Sequence, residues 1–336
     1  MMPRYEQSAS QKILPGTPRS VMMQHILQTV ERIAVSDLGV LISGEPSTGK
    51  EWLARMIHRC SGRSAGPFVR VDCASLPRRD LETKIFGSEV LTLSGIKVRT
   101  GALEEAKGGT IFFDQIAKLP AGTVAKIARM LEYQDFRRVG GYDENTPNVR
   151  VIASLHKNYG ESSNARNFRT DLYYRITPVL LNLPPLRERP GDIPFFIEKF
   201  ILEFPGSSQQ WVKAITSAAL YTCLAYDWPG NIRELKDAIR YATIMCAERY
   251  IQPGHLPAYL LRRDRKRGEA LNTRGVLHGE RLEKLMIEHA LKTSTTTSEV
   301  ASLLGMSLET LSSKLLEYEL SPDPGNPLLG NMRGPQ

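Results

Sequence analysis

The sequence predicts an α/β domain built on a mostly parallel sheet, followed by a helical subdomain and a small all-helical unit. Three observations carry that expectation. Across residues 16–185, short apolar runs (VLIS, FVRVDC, TIFF, VRVIAS) alternate with helix-length amphipathic stretches, the pattern of a parallel sheet covered by helices. After the punctuation LNLPPLRERPGD, residues 186–261 hold FFIEKFILEF, WVKAITSAALYTCLAY and ELKDAIRYATIMCAER. These have helical periodicity with no strand run between them. Residues 279–320 then carry three apolar-periodic segments, RLEKLMIEHALK, TSEVASLLG and SLETLSSKLLEYEL.

The segments between these units lack periodicity. Residues 1–15 read as a polar leader, too short for a complete sensory or receiver domain, which leaves a separate partner able to supply an input signal. Residues 262–278 read as a basic linker, and residues 321–336, rich in Pro and Gly, as a disordered tail. No internal repeat is found.

Composition narrows the class. With 336 residues and 41% hydrophobic content, the chain can bury a sizeable core. Its formal charge of +8 favours a polyanionic partner, nucleic acid first. Cys60, Cys73, Cys223 and Cys246 have no metal-ligand spacing and are too sparse for a disulfide scaffold. No run of 18 apolar residues occurs, and MMPRYEQSASQK lacks the apolar core of a signal peptide. The expectation is a cytoplasmic protein that does not enter a membrane.

The stretch Gly44, Glu45, Pro46, Ser47, Thr48, Gly49, Lys50 fits G-x-x-x-x-G-K directly after an apolar strand and before a helix. Glycines let successive N–H groups turn inward, the helix start adds positive potential, and Lys50 reaches outer phosphates. The usual Ser/Thr that follows, a magnesium ligand, is Glu51 here. Downstream, Thr110–Asp114 forms a buried strand ending in an acid, the form of a Walker B motif whose aspartate positions Mg²⁺ through water.

Taken in order, GEPSTGKE, FVRVDCASLP, KIFG, GGTIFFDQI, FRTDLYYRI, LPPLRERPGDI and WPGNIREL resemble the AAA+ domain of bacterial enhancer-binding proteins, the activators of sigma-54 RNA polymerase. The resemblance covers residues 12–261. It implies an AAA+ P-loop NTPase core with a helical lid, ATP and Mg²⁺ as ligands, and assembly into rings. A glutamate after the lysine is usual in that family. Arg169 and Arg175 lie where it supplies arginine fingers across a subunit interface, and Arg233 resembles the lid's sensor residue. Leu155 and His156 stand where it often has Thr-Asn.

Two departures bear on chemistry. The family's water-activating glutamate is Gln115 here; an amide cannot serve as general base, and losing one typically costs about 10² to 10⁴ in rate. The asparagine that the family couples to that glutamate is Asp72. If Asp72 and Gln115 face each other, amide and carboxylate have exchanged places and a hydrogen bond between them survives the exchange. Independent drift in a domain released from hydrolysis explains the pair equally well.

The family's GAFTGA loop, which contacts sigma-54, is matched by Leu91, Thr92, Leu93, Ser94, Gly95 and Ile96. Gly95 alone is identical, Leu93 replaces the aromatic and Ser94 the threonine, so ordinary sigma-54 activation is not expected. At the C-terminus, TTTSEVASLLGMSLETLSSKLLEYEL is similar to a Fis-type helix-turn-helix, with Ser307 as N-cap of a recognition helix over Ser307–Tyr318. The candidate DNA contacts are Ser307, Thr310, Ser313 and Lys314. Its outer face also shows Leu308, Glu309 and Ser312, so affinity per module is expected to be weak, with help from Arg262–Arg267 or from pairing through RLEKLMIEHALK.

These features converge on a DNA-binding transcriptional regulator that binds ATP and hydrolyses it weakly or not at all, acting as a homo-oligomer or in mixed rings with a paralogue, on RNA polymerase holoenzyme. Two rivals stay open. One is a working ATPase that remodels sigma-54 polymerase. The other is an interaction protein that tunes a paralogous activator's ring.

Overall fold

A computed structural model describes residues 18, 20–75, 77–93, 95–156, 178–204, 212, 214–261, 284, 287, 290–291, 297–304, 308–318 and 320. The chain divides into two bodies, one of residues 25–188 with 227–235, the other of the remainder. In the first, α1 (Val21–Ala34, begun in the other body) leads into β1 (Val40–Ser43) and α2 (Lys50–Arg59). Next come β2 (Phe68–Asp72), α3 (Arg78–Phe86), the hairpin β3 (Ser88–Thr92) and β4 (Gly95–Arg99), and short α4 (Ala102–Glu105). Then β5 (Thr110–Asp114), α5 (Ala121–Tyr133), the small strands β6 (Phe136–Arg137) and β7 (Glu144–Asn145), β8 (Arg150–Leu155) and β9 (Val179–Asn182) complete this body.

The five long parallel strands form one sheet in the order β2-β5-β8-β1-β9. Their apolar runs explain it. Val40, Leu41 and Ile42 of β1, Ile111, Phe112 and Phe113 of β5, and Val151, Ile152 and Ala153 of β8 are all buried, as expected for a parallel sheet covered on both faces. The fifth strand, β9, was not anticipated from the sequence. Its VLLN run is only partly buried and reads there as the lead-in to the Pro-rich segment.

One buried cation fastens the sheet to α1. The Arg150 guanidinium is 1% exposed and donates to the carbonyls of Ile33 (2.9 Å), Ala34 (3.0 Å) and Leu38 (3.3 Å). The carbonyls of Ile33 and Ala34 belong to the last turn of α1 and that of Leu38 to the segment before β1; Ile33 also accepts from the Ser36 N–H and hydroxyl, and the last carbonyls of a helix have no partner within it.

The second body holds α6 (Ile193–Glu203), β10 (Ala214–Ile215), α7 (Ser217–Leu224), most of α8 (Asn231–Met245), β11 (Tyr250–Ile251) and α9 (Ala258–Leu261). Here the sequence expectation is corrected, because WVKAITSAALYTCLAY does not form one helix and the region contains strands. Ala214 and Ile215 pair in parallel with Tyr250 and Ile251. Thr216 then starts α7, its Oγ1 accepting from the Ala219 N–H at 3.4 Å while its own N–H donates to the Ile251 carbonyl at 2.9 Å. A threonine able to cap is what converts the run from strand to helix.

Near the C-terminus, α10 (Thr297–Leu304) and α11 (Leu308–Glu317) share a small core in which Val300, Ala301 and Leu311 pack with Ile287 and Ala290. Replacing the buried guanidinium, Arg150→Met, removes the donor that the Ala34 and Leu38 carbonyls share, while Ile33 keeps Ser36. Urea unfolding followed by circular dichroism is expected to show a loss of roughly 2–4 kcal/mol, far above that of an exposed Arg→Met control.

Candidate functional site

The loop between β1 and α2 closes around its own backbone. The Gly44 N–H donates to the Leu155 carbonyl at the end of β8 (3.3 Å), and Thr48 Oγ1, buried, donates to the Glu45 carbonyl (2.9 Å). Ser47 and Gly49 both take positive φ, 58° and 103°. Such alternation turns N–H groups toward a common centre. A side chain at Gly44 would come within 2.8 Å of the Leu183 carbonyl oxygen, so the motif's first glycine is required by close approach. Lys50 Nζ is drawn inward to the carbonyls of Glu45 (2.7 Å) and Gly44 (3.0 Å). Burial lowers the pKa of this ammonium, and Asp114 and Glu45 oppose that shift. A buried cation whose acceptors are neutral carbonyls is poised to take an anion.

A residue not singled out from the sequence holds the loop. Asn231, fully buried at φ 53°, accepts from the Leu186 N–H (2.8 Å) and donates to Glu45 Oε2 (3.2 Å) and the Pro46 carbonyl (3.1 Å). The neighbouring Ile232 N–H donates to the Ser47 carbonyl (3.1 Å). Arg187 adds an ion pair to Glu45 (2.9 Å). The available signal is PGN before a helical run, because asparagine tolerates positive φ at such a start; Arg233, the residue of this segment that resembles a sensor, is exposed.

Two strands away, Asp114 ends β5. Its Oδ1 accepts from Ser154 Oγ (2.7 Å), and the same hydroxyl oxygen accepts from the Gln115 N–H (2.9 Å). Ser154, unremarked in the sequence, thereby fixes both Walker B positions. Gln115 is held at φ 57°, ψ 50°. His156 Nε2 lies 3.4 Å from its amide oxygen, a fit for the neutral ring protonated on Nε2.

The supposed exchange partners are not joined. Among the described residues, Asp72 Oδ1 accepts from the Ala74 N–H (3.0 Å) and Oδ2 faces Arg70 Nη2 (3.6 Å), whereas the Gln115 amide faces His156. Register explains this. Asp72 sits opposite Asp114, not Gln115, in the β2-β5 pairing, so an Asp72–Gln115 hydrogen bond is absent. What joins this edge is Arg70, whose Nη2 lies 2.7 Å from Asp114 Oδ2 and Nε 3.3 Å from Glu51 Oε2.

Magnesium normally takes one or two carboxylates together with nucleotide phosphates. No group of three or more His, Cys, Asp or Glu among the described residues could hold a metal. Both Asp114 oxygens already have partners, and Glu51 offers no hydroxyl. With Arg70 in place, the site does not fit an ion bound directly to Asp114.

The segment expected as a polymerase-contacting loop is the end of an antiparallel hairpin, with Leu91 opposite Ile96 and Thr92 opposite Gly95. Leu91, Leu93 and Ile96 are exposed, Leu93 completely. Its base is tied by Arg138, which donates to Glu89 (2.8 Å) and Glu104 (2.6 Å). On α11, Thr310 and Ser313 are exposed, and Lys314 pairs with Glu317 (3.0 Å) and lies over the Tyr318 ring. Arg169, Arg175, Ser94 and Ser307 lie outside the described residues.

Comparison with known proteins follows the same partition. Residues 17–182 match the sigma-54 interaction domain, 187–273 the AAA+ ATPase lid domain, and 280–318 the bacterial regulatory protein Fis family. The transcriptional regulatory protein ZraR of Salmonella typhimurium is 37% identical over 298 residues, 88% of this chain and 67% of that protein. The regulatory protein AtoC of Escherichia coli is 35% identical over 317 residues, 92% of this chain and 68% of that protein. Among solved structures, NtrX from Brucella abortus in complex with ATP is 31% identical with a TM-score of 0.65, over 90% of this chain and 68% of that one.

Two histidines of this body, His58 and His156, give a pH prediction. Burial holds both His58 and His156 below the ordinary value of 6.5; neighbouring cations, Arg150 for the first and Lys50 for the second, add to the effect. A lowered histidine pKa means that the folded state resists a proton the unfolded chain accepts. Stability is therefore full above about 6.5 and falls as pH drops through the folded values. Thermal melts from pH 7.5 to 5 are expected to show that decline, and His58→Gln with His156→Gln to flatten it.

Proposed function

The chain belongs to the bacterial sigma-54-interacting transcriptional regulators, with an AAA+ domain, its lid and a Fis-type helix-turn-helix, and we propose that it works as an ATP-binding switch with impaired turnover. The carrying observation is the loop of residues 44–50, whose buried Lys50 has, among the described residues, the Gly44 and Glu45 carbonyls as the hydrogen-bond partners of Nζ. Triphosphate oxygens are better acceptors for that ammonium and for the inward N–H groups. ATP is the ligand; both oxygens of the Asp114 carboxylate are engaged, so this residue would hold any Mg²⁺ that the nucleotide carries only through water.

Impaired turnover follows from Gln115. Ser154 and His156 hold its backbone and amide, but an amide accepts no proton from water at neutral pH. Arg169 and Arg175 act in this reading from a neighbouring subunit, in a homo-oligomer or a mixed ring with a paralogue, in the cytoplasm. DNA is contacted through Thr310, Ser313 and Ser307. Each module binds weakly, because Lys314 is engaged with Glu317 and Tyr318.

A second reading, a protein that tunes a paralogous ring, is favoured by the exposed apolar hairpin end at Leu91, Leu93 and Ile96, which keeps a docking surface without the family's aromatic. Co-purification with an intact paralogue that is lost on Leu93→Asp supports it.

The primary test measures ATP binding and hydrolysis together across protein concentrations. Lys50→Ala is expected to abolish binding. Gln115→Glu is expected to raise turnover about 10² to 10⁴-fold. Turnover by the unaltered protein that already rises with concentration, and is not increased by Gln115→Glu, would instead identify a working motor.

A further inference from the structure

Among the described residues, Arg70 of β2 is a cation that reaches both nucleotide-binding motifs. Its Nε lies 3.3 Å from Glu51, the residue that follows the loop lysine, and its Nη2 lies 2.7 Å from Asp114, the Walker B acid. Asp72, 3.6 Å from the same Nη2, completes the set of carboxylates. In P-loop nucleotidases the magnesium ion sits between these two motif positions, held by the loop Ser/Thr and the Walker B Asp. In this chain the hydroxyl is replaced by a carboxylate, and a guanidinium spans the gap.

Electrostatics favour that arrangement. Three carboxylates around one site repel an incoming triphosphate unless a cation offsets them. Arg70 is partly exposed, 39% at the side chain, so it is open to a ligand. A guanidinium has five N–H donors in a planar fork suited to phosphate. The ion pairs with Glu51, Asp72 and Asp114 engage Nε and Nη2, and Nη1 takes part in none of them.

We propose that Arg70 is the resident cation of this nucleotide site, bridging Glu51 and Asp114 where a divalent metal otherwise sits, so that ATP binds with little dependence on Mg²⁺. The inference rests on the ATP-binding reading and concerns how the phosphates are neutralised. Arg70 is a binding and positioning residue here, with no part in bond breaking.

Equilibrium binding of ATP by calorimetry, in excess Mg²⁺ and in EDTA, tests it on the full chain and on Arg70→Thr and Arg70→Lys. For the unaltered protein, the Kd is expected to differ between buffers by less than about threefold. For Arg70→Thr, EDTA is expected to weaken binding about tenfold or more relative to Mg²⁺, the size of one lost charge-assisted hydrogen bond. Arg70→Lys, which keeps the charge without the fork, is expected to fall between. Loss of tenfold or more by the unaltered protein in EDTA overturns the proposal while leaving ATP binding intact. So does an Arg70→Thr protein that binds equally in both buffers. Absence of binding by the unaltered protein in both buffers refutes the ATP-binding reading itself, and the inference with it. A thermal melt of each variant without nucleotide separates a folding defect from a binding defect, and Arg70→Lys decides the matter if Arg70→Thr fails to fold.

Discussion

The parallel run of β1, β5 and β8 is the constraint on which the rest of the structure depends. Because the strands point the same way, their last residues emerge along one edge of a sheet buried on both faces. Ser43, Asp114 and Leu155 end these strands, and Gly44, Gln115 and His156 follow directly at that edge. The order β5-β8-β1 puts β8 between the phosphate loop and the acid. Its C-terminal end serves both neighbours: the Leu155 carbonyl accepts from Gly44, and the Ser154 hydroxyl positions Asp114 and Gln115. Reversing any of these strands would move its functional end to the opposite edge.

Much of this was legible in the sequence because buried parallel strands leave a strong trace. Four of the five long strands announced themselves as short apolar runs, and the loop as a glycine pattern between strand and helix. What escaped had no periodic signature. β9 is half-buried and merges with a Pro-rich segment. The β10-β11 pair is two residues per strand, below any alternation that could be counted. Thr216 turned a long apolar stretch into strand plus helix through a single cap.

The site was legible in its motifs and not in its supports. Lys50, Asp114 and Gln115 stand in recognisable patterns, but Ser154, Asn231 and Arg70 act through contacts across the fold. Asn231 lies 186 positions from Glu45, and Arg70 lies 44 from Asp114. The exchange imagined between Asp72 and Gln115 failed on register, a quantity the sequence does not carry: opposite Asp72 stands Asp114. The charge pattern there is better described as three acids gathered around one arginine than as two residues traded.

The hairpin has a mechanical consequence. Each of its strands has five residues, and at about 3.4 Å per residue they carry Leu93 roughly 17 Å from the root. The root is stiff, since Gly87 and Gly101 meet at backbone distance and Arg138 clamps Glu89 and Glu104 together. A stalk with a rigid foot transmits tilt: a rotation of about 10° at the foot sweeps the tip some 3 Å, roughly the rise of one residue along a strand. The exposed leucine at its end thus behaves as a pointer whose direction is set at Arg138, far from whatever surface it touches.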